Sequence, residues 1–220
     1  MDKNAQAIQY MKDNEYEKAA ELFNELIEEN PGDPVGFVNF GNLLLHINDF
    51  VRAERFFKKA IELDEKTATA YYGLGNLYYE QEEYDRAEKN YQRAIELGLA
   101  ESDVYFMLGM IFQQKEQFKL ALPYLLRAVE LSPDDYEIQF QYGLSLAQAE
   151  YIEEADKAFK EVLKKNPEHS DAHYNSGVIS LLHGDAETAL HHFEESLRIQ
   201  PDHVLAANGK KNIEDILKQE

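Results

Sequence analysis

Apolar side chains along this chain fall into paired runs with helical spacing. Phe37, Phe40, Gly41 and Leu44 stand at i, i+3, i+4 and i+7, which is one face of a helix, and Ala53, Phe57 and Ala60 mark a second face a short turn later. Each such pair predicts two antiparallel helices joined by a tight connection. The same frame returns as Tyr71, Leu74, Gly75 and Tyr78 with Ala87, Tyr91 and Ala94. It returns again as Tyr105, Leu108, Gly109 and Phe112 with Ala121, Leu125 and Ala128. Gly41, Gly75, Gly109, Gly143 and Gly177 are spaced by 34 residues. Glycine inside a helix costs roughly 1 kcal/mol relative to alanine, so recurrence at one phase predicts a close approach of helices there. Tyr71, Tyr78 and Tyr91 are expected to fill the space around Gly75.

The frame weakens towards both ends. A fifth copy keeps Tyr142, Gly143, Leu146, Ala155, Phe159 and Pro167 with Gln139 at the first aromatic place, and a sixth keeps Gly177, Ala189, Phe193 and Pro201 with His173 and Ser180 as departures. The first copy shows only Tyr10, Ala19, Phe23 and Pro31. The prediction is an all-α chain of six helical hairpins over residues 1–33, 34–67, 68–101, 102–135, 136–169 and 170–203, treated as one domain over residues 1–220. A capping helix over 204–220 would turn Leu205, Ile213, Ile216 and Leu217 inward and Lys211, Asp215 and Lys218 outward. The stretches beginning Asn30-Pro31, Ser132-Pro133, Asn166-Pro167 and Gln200-Pro201 end second helices, because proline lacks an N–H and disfavours helix in the residue before it. Pro123, near the start of a second helix, is expected to distort that helix without breaking it.

These residues at this spacing resemble the tetratricopeptide repeat, whose pattern W-x2-L-G-x2-Y, A-x3-F and P is kept here with Phe or Tyr in place of Trp. The resemblance covers nearly the whole chain, and size and repeat count are similar to those of small single-domain members from Gram-positive bacteria. It implies a right-handed α-α superhelix with first helices on the concave side, and binding of protein segments in that groove.

Composition narrows the function. With 42 Asp plus Glu against 22 Lys plus Arg, a net charge of −20 repels phosphate backbones and anionic lipid, so neither nucleic acid nor a membrane is an expected partner. No apolar run approaches the roughly 18 residues of a membrane span. The polar N-terminus starts a helical pattern directly, without the run of a secretory signal. There are no cysteines, which removes disulfides, thiolate metal sites and a nucleophilic thiol and suits a cytoplasmic location.

A second stripe runs one residue past the core face of each first helix, led by Val38, Tyr72, Phe106, Phe140 and Tyr174. In the family this phase faces the groove. Around it stand Asn39, Asn42, Asn76, Tyr79, Met107 and Met110, a mixture suited to an adaptable peptide site in which asparagine amides bond an extended backbone. The same rings would serve equally as packing between repeats, and the asparagines as ordinary helix-surface polar residues. Asp103, Glu137 and Asp171, again 34 apart, form a candidate acidic rim for a partner segment with apolar anchors and basic residues. They equally favour helix N-termini. Chaperone-binding members of the family hold a terminal carboxylate with lysine, asparagine and arginine. Here the corresponding lysine column reads Asn4, Val38, Tyr72, Phe106, Phe140 and Tyr174, so that clamp is absent.

Histidines gather late, at His169, His173, His183, His191, His192 and His203, with His46 apart. His169 and His173 have the spacing of a metal pair, with no third ligand defined by spacing. No G-x-S-x-G, H-E-x-x-H or phosphate-cradling glycine loop occurs. The expectation is a non-catalytic scaffold without cofactor or metal that receives a protein or peptide segment in its groove, as a monomer. A self-assembling structural protein is the alternative, and a metal-dependent enzyme component at the histidine-rich end a remote one.

Overall fold

The computed structural model describes residues 2–217, with side chains through Asp215. Among the described residues there are thirteen helices and no strand, an all-α solenoid of helical hairpins. Backbone packing divides the chain into two compact units, Met1–Ile111 and Phe112–Glu220. The first holds α1 (Lys3–Lys12), α2 (Tyr16–Glu29), α3 (Pro34–His46), α4 (Phe50–Leu63), α5 (Ala68–Glu80), α6 (Tyr84–Glu96) and most of α7 (Ser102–Gln114). The second holds the end of α7, then α8 (Phe118–Leu131), α9 (Tyr136–Gln148), α10 (Ile152–Lys165), α11 (Ser170–Leu182), α12 (Ala186–Ile199) and α13 (Val204–Leu217).

Within the first unit the core is a row of second-helix side chains, Phe23, Phe57 and Tyr91, all fully buried among Ala19, Ala53, Ala60, Ala87 and Ala94. Burying one such ring stabilises by roughly 2–3 kcal/mol. Phe57 and Tyr91 each lie over a glycine of their own hairpin, whereas the first hairpin has Ala7 at that position. A Cβ at Gly41 would meet the Phe57 ring at 2.7 Å, and one at Gly75 the Tyr91 ring at 2.5 Å. Phe57 also reaches the next hairpin, where a Cβ at Gly73 would stand 2.3 Å away. One ring thus joins two successive repeats. On the same unit Tyr78 donates to Glu54 at 2.6 Å while the Arg86 guanidinium lies 3.6 Å from the centre of the Tyr78 ring.

The second unit repeats the device with Phe159 and Phe193, while Leu125 is the fully buried side chain at the same place in α8. A Cβ at Gly143 or Gly177 would stand 2.8 Å from the Phe159 or Phe193 ring, and one at Gly209 of α13 would stand 2.7 Å from Phe193. Helix α8 runs unbroken through Pro123. The inward face of α13 is Ala206, Gly209 and Ile213, at i, i+3 and i+7, against Phe193. This corrects the expectation for Leu205, which is 56% exposed because it lies one residue, about 100°, off that face. Lys211 and Asp215 are exposed. The expected inward side chains of Ile216 and Leu217, and the 218–220 end of the expected cap with Lys218, lie outside the described residues.

The turn inside each hairpin carries a second 34-residue rhythm. Asn14, Asn48, Glu82, Glu116, Glu150 and Gly184 all adopt positive φ, between 56° and 77°. In this left-handed conformation the next N–H turns back onto the first helix, as Glu83 does to the Tyr78 carbonyl at 2.8 Å and Asp49 to Leu44 at 2.8 Å. Asparagine and glycine adopt it readily, whereas glutamate is held there at a cost.

Two substitutions of opposite sign test these constraints. Gly75→Ala is expected to lower the unfolding free energy by about 2 kcal/mol despite alanine's higher helix propensity, since the Tyr91 ring has no room to retreat. Glu82→Asn is expected to raise it by about 0.5–1 kcal/mol by relieving the left-handed turn. Urea denaturation followed by circular dichroism measures both, and a stabilised Gly75→Ala would refute the ring-on-glycine account.

Candidate functional site

In the first unit the side of α3, α5 and α7 one residue past the core face carries a cavity of about 450 Å³ lined by Leu45, His46, Asn48, Tyr72, Asn76, Glu80 and Met107. Of the residues singled out from sequence it brings together Tyr72, Asn76 and Met107. Helix α5 positions the first two. Ala70, Leu74, Leu77 and Tyr78 are committed to the core, so residues 72 and 76, one turn apart, share the remaining face. The Tyr72 ring is half-buried against Tyr91, with ring centres 5.7 Å apart. Asn76 accepts from the Tyr91 hydroxyl at 2.7 Å, which anchors its amide oxygen and keeps the side chain at the cavity wall.

Burial pushes the Tyr72 phenol above its usual range, hydrogen bonding with Asn76 partly opposes this, and the nearby carboxylates of Asp103 and Glu101 push it further up. Tyr72 therefore remains a protonated, donating phenol at neutral pH. The same charges place the rim residue Asp103 beside Tyr72. Glu80 adds a carboxylate in the cavity wall itself, so the site combines aromatic and thioether surface with negative charge.

The other singled-out positions sort by burial. Phe106, Met110 and Tyr79 are half-buried, Tyr79 standing edge-on to Tyr84 with ring centres 5.7 Å apart. Asn42 is exposed, while Asn39 donates to Asn4 at 2.6 Å and so ties α3 to α1. Val38 is 4% exposed and Phe140 6%, and both are core residues without open surface. The expected place of these leading rungs on an open face is corrected at both positions by their burial, and Phe140 packs between Phe159 of its own hairpin at 5.7 Å and His169 of the next joint at 4.4 Å. Tyr174 is half-buried against Phe193 at 5.9 Å and His203 at 5.1 Å.

Those histidines belong to a device that the sequence reading missed. His169 and His203 sit at the positions where Asp33 and Asp135 begin other first helices, and their Nδ1 atoms accept from Ala172 at 3.2 Å and Ala206 at 3.1 Å as helix N-caps. With Nδ1 accepting, Nε2 carries the proton. In His203 it donates to Asp171 at 3.0 Å, and in His169 it lies 3.8 Å from Glu137. Two of the expected rim acids thus face histidines of the next joint while remaining largely exposed. The cap role of His169 also separates it from His173, so the spacing of a metal pair does not become one. Among the described residues no group of three or more His, Cys, Asp or Glu is arranged to hold a metal ion. No described helix is long and apolar enough to cross a membrane.

His46, Asn48 and Glu80 were also missed. A signal existed for two of them: His46 and Glu80 are 34 apart and extend the stripes Val38, Asn42 and Tyr72, Asn76 by one further helical step.

Models of the tetratricopeptide repeat match residues 4–66, 67–134 and 140–204. The TPR repeat-containing protein YrrB of Bacillus subtilis (strain 168) is 50% identical over 38 residues, which make up 17% of this chain and 18% of that protein. A crystal structure of YrrB, described as a TPR protein with an unusual peptide-binding site, is 44% identical and covers 87% of this chain and 99% of that one with a TM-score of 0.81. PilF of Pseudomonas aeruginosa, at 16% identity, 96% coverage of both chains and a TM-score of 0.82, shares the fold.

Replacing His203 by alanine removes both the cap and the contact with Asp171. The expected loss is about 1–2 kcal/mol of stability, read from thermal and urea unfolding. An unchanged midpoint would show that the α13 N-terminus does not depend on this side chain.

Proposed function

Because the chain belongs to the tetratricopeptide repeat family, we propose that it is a non-catalytic scaffold of one repeat domain that receives a peptide segment on its first-helix face at the Tyr72 cavity. The observation that carries this reading is the cavity itself, where side chains unused by the core converge with two carboxylates nearby. An apolar anchor of the partner packs on Tyr72, Met107 and Leu45, its backbone bonds the Asn76 and Asn48 amides, and a lysine or arginine pairs with Glu80 or Asp103. The net charge of −20 steers such a segment inward and disfavours nucleic acid and anionic membranes. The peptide-binding site described for YrrB supports the class of ligand. Phe106, half-buried on α7, extends the apolar surface beyond the cavity. The reading needs no cofactor and suits a monomer in the cytoplasm. Repeat-model matches running from residue 4 to residue 204 support the reading of one repeat domain.

The test is fluorescence anisotropy with a library of labelled peptides carrying Leu, Met or Phe anchors flanked by Lys, against the same library with Glu in place of Lys. Saturable binding of the basic set is expected. The Tyr72→Ala, Phe106→Ala double variant should bind about 2 kcal/mol more weakly with its helical circular dichroism intact. Equal binding by the variant, or collapse of its melting transition, would defeat the assignment. Light scattering during the titration separates peptide uptake from self-assembly.

A further inference from the structure

In the hairpin of α11 and α12 two facing core-edge positions both carry an imidazole, which the corresponding pair of no other hairpin does. Residues 173 and 192 occupy the columns held by Phe37 and Phe56 in the hairpin of α3 and α4, where the two rings pack with centres 6.0 Å apart. Here both are histidine. Their ring centres are 5.3 Å apart and their Nδ1 atoms face one another at 3.1 Å. Two imidazoles in the same half-buried place bear a desolvation cost that packing does not explain.

The tautomers follow from the partners. His173 Nε2 lies 3.0 Å from the Pro167 carbonyl oxygen, which can only accept, so Nε2 carries the proton and Nδ1 presents its lone pair towards His192. A ligating histidine characteristically donates its other ring N–H to a backbone carbonyl in this way, which fixes the ring and its tautomer. Two nitrogens that share one tetrahedral zinc at about 2.05 Å each are about 3.3 Å apart. The observed separation is close to that value, and each ring must turn so that both Nδ1 lone pairs converge on the metal instead of pointing along the line between them. The His192 proton moves from Nδ1 to Nε2, and no net proton is released.

We propose that His173 and His192 form a two-histidine seat for a divalent late transition metal such as zinc, bound through both Nδ1 atoms, with water or donors from another molecule in the remaining positions. Burial first, and then the neighbouring imidazoles and cations, holds both rings below the usual histidine range, His192 at about 4. Both are therefore neutral and able to ligate at physiological pH. Glu195 and Asp156 act on the pair in the opposite sense and supply negative charge around it, while His191, Arg198 and Lys160 supply positive charge. The seat is independent of the Tyr72 cavity, which belongs to the other unit.

The experiment uses the full chain without a polyhistidine tag, freed of metal by chelation and titrated with zinc chloride in a calorimeter. One equivalent is expected to bind, at least tenfold more weakly in His173→Gln and in His192→Gln, and unchanged in His183→Gln. Absence of saturable binding, or equal affinity in the two site variants, overturns the proposal. Should either site variant unfold, two-dimensional nitrogen NMR of the wild-type imidazoles decides. Zinc must shift the Nδ1 resonances of both His173 and His192, and a shift confined to exposed histidines counts against the seat.

Discussion

The contact of an aromatic ring with a glycine backbone governs the architecture. Phe57 over Gly41, Tyr91 over Gly75, Phe159 over Gly143 and Phe193 over Gly177 bring the two helices of a hairpin to a separation that no side chain at the glycine would permit. The ring is thereby buried completely, and its apolar area leaves water with no polar group stranded. Phe57 and Phe193 then touch a second glycine, in the following repeat, so the contact that closes one hairpin also seats its neighbour. Repeats joined in this way depend on nearest neighbours only, and a defect at one ring is felt locally.

That contact also decides which side chains are available for recognition. Once the columns of Gly75, Leu74 and Tyr78 are committed to packing, each first helix has one remaining face, led by the residue that follows the core position. Whether this face is open depends on the next repeat. At Tyr72 the neighbour leaves a cavity, whereas at Phe140 the imidazole of His169 closes over the ring. The same column therefore serves as surface in one place and as core in another, and charge follows suit. Glu80 and Asp103 stand by the cavity, while Asp171 is engaged by His203.

The histidines show how far residue type underdetermines role. His169 and His203 cap helices through Nδ1, His173 and His192 face each other across a hairpin, and His183 meets Glu153 at 3.1 Å on the exposed surface. Helical spacing made His169 and His173 look like a pair, yet one turn of separation along a chain says nothing about which nitrogen points where. A backbone N–H claims the lone pair of His169, whereas the Pro167 carbonyl leaves that of His173 available.

The sequence alone determined the period, the hairpins, the glycine phase and the family, because burial of one face per helix must be written as a repeating pattern of side-chain size and polarity. Even the left-handed turns leave a trace in Asn14, Asn48 and Gly184, although Glu82, Glu116 and Glu150 hide it by adopting a conformation their side chains disfavour. What only the tertiary structure decided is which repeated positions stay open. Val38 and Phe140 read in sequence like Tyr72, and Leu205 reads like an inward residue. Exposure is set by the neighbouring helix and by rotations of about 100° per residue, so it depends on atoms distant in the chain.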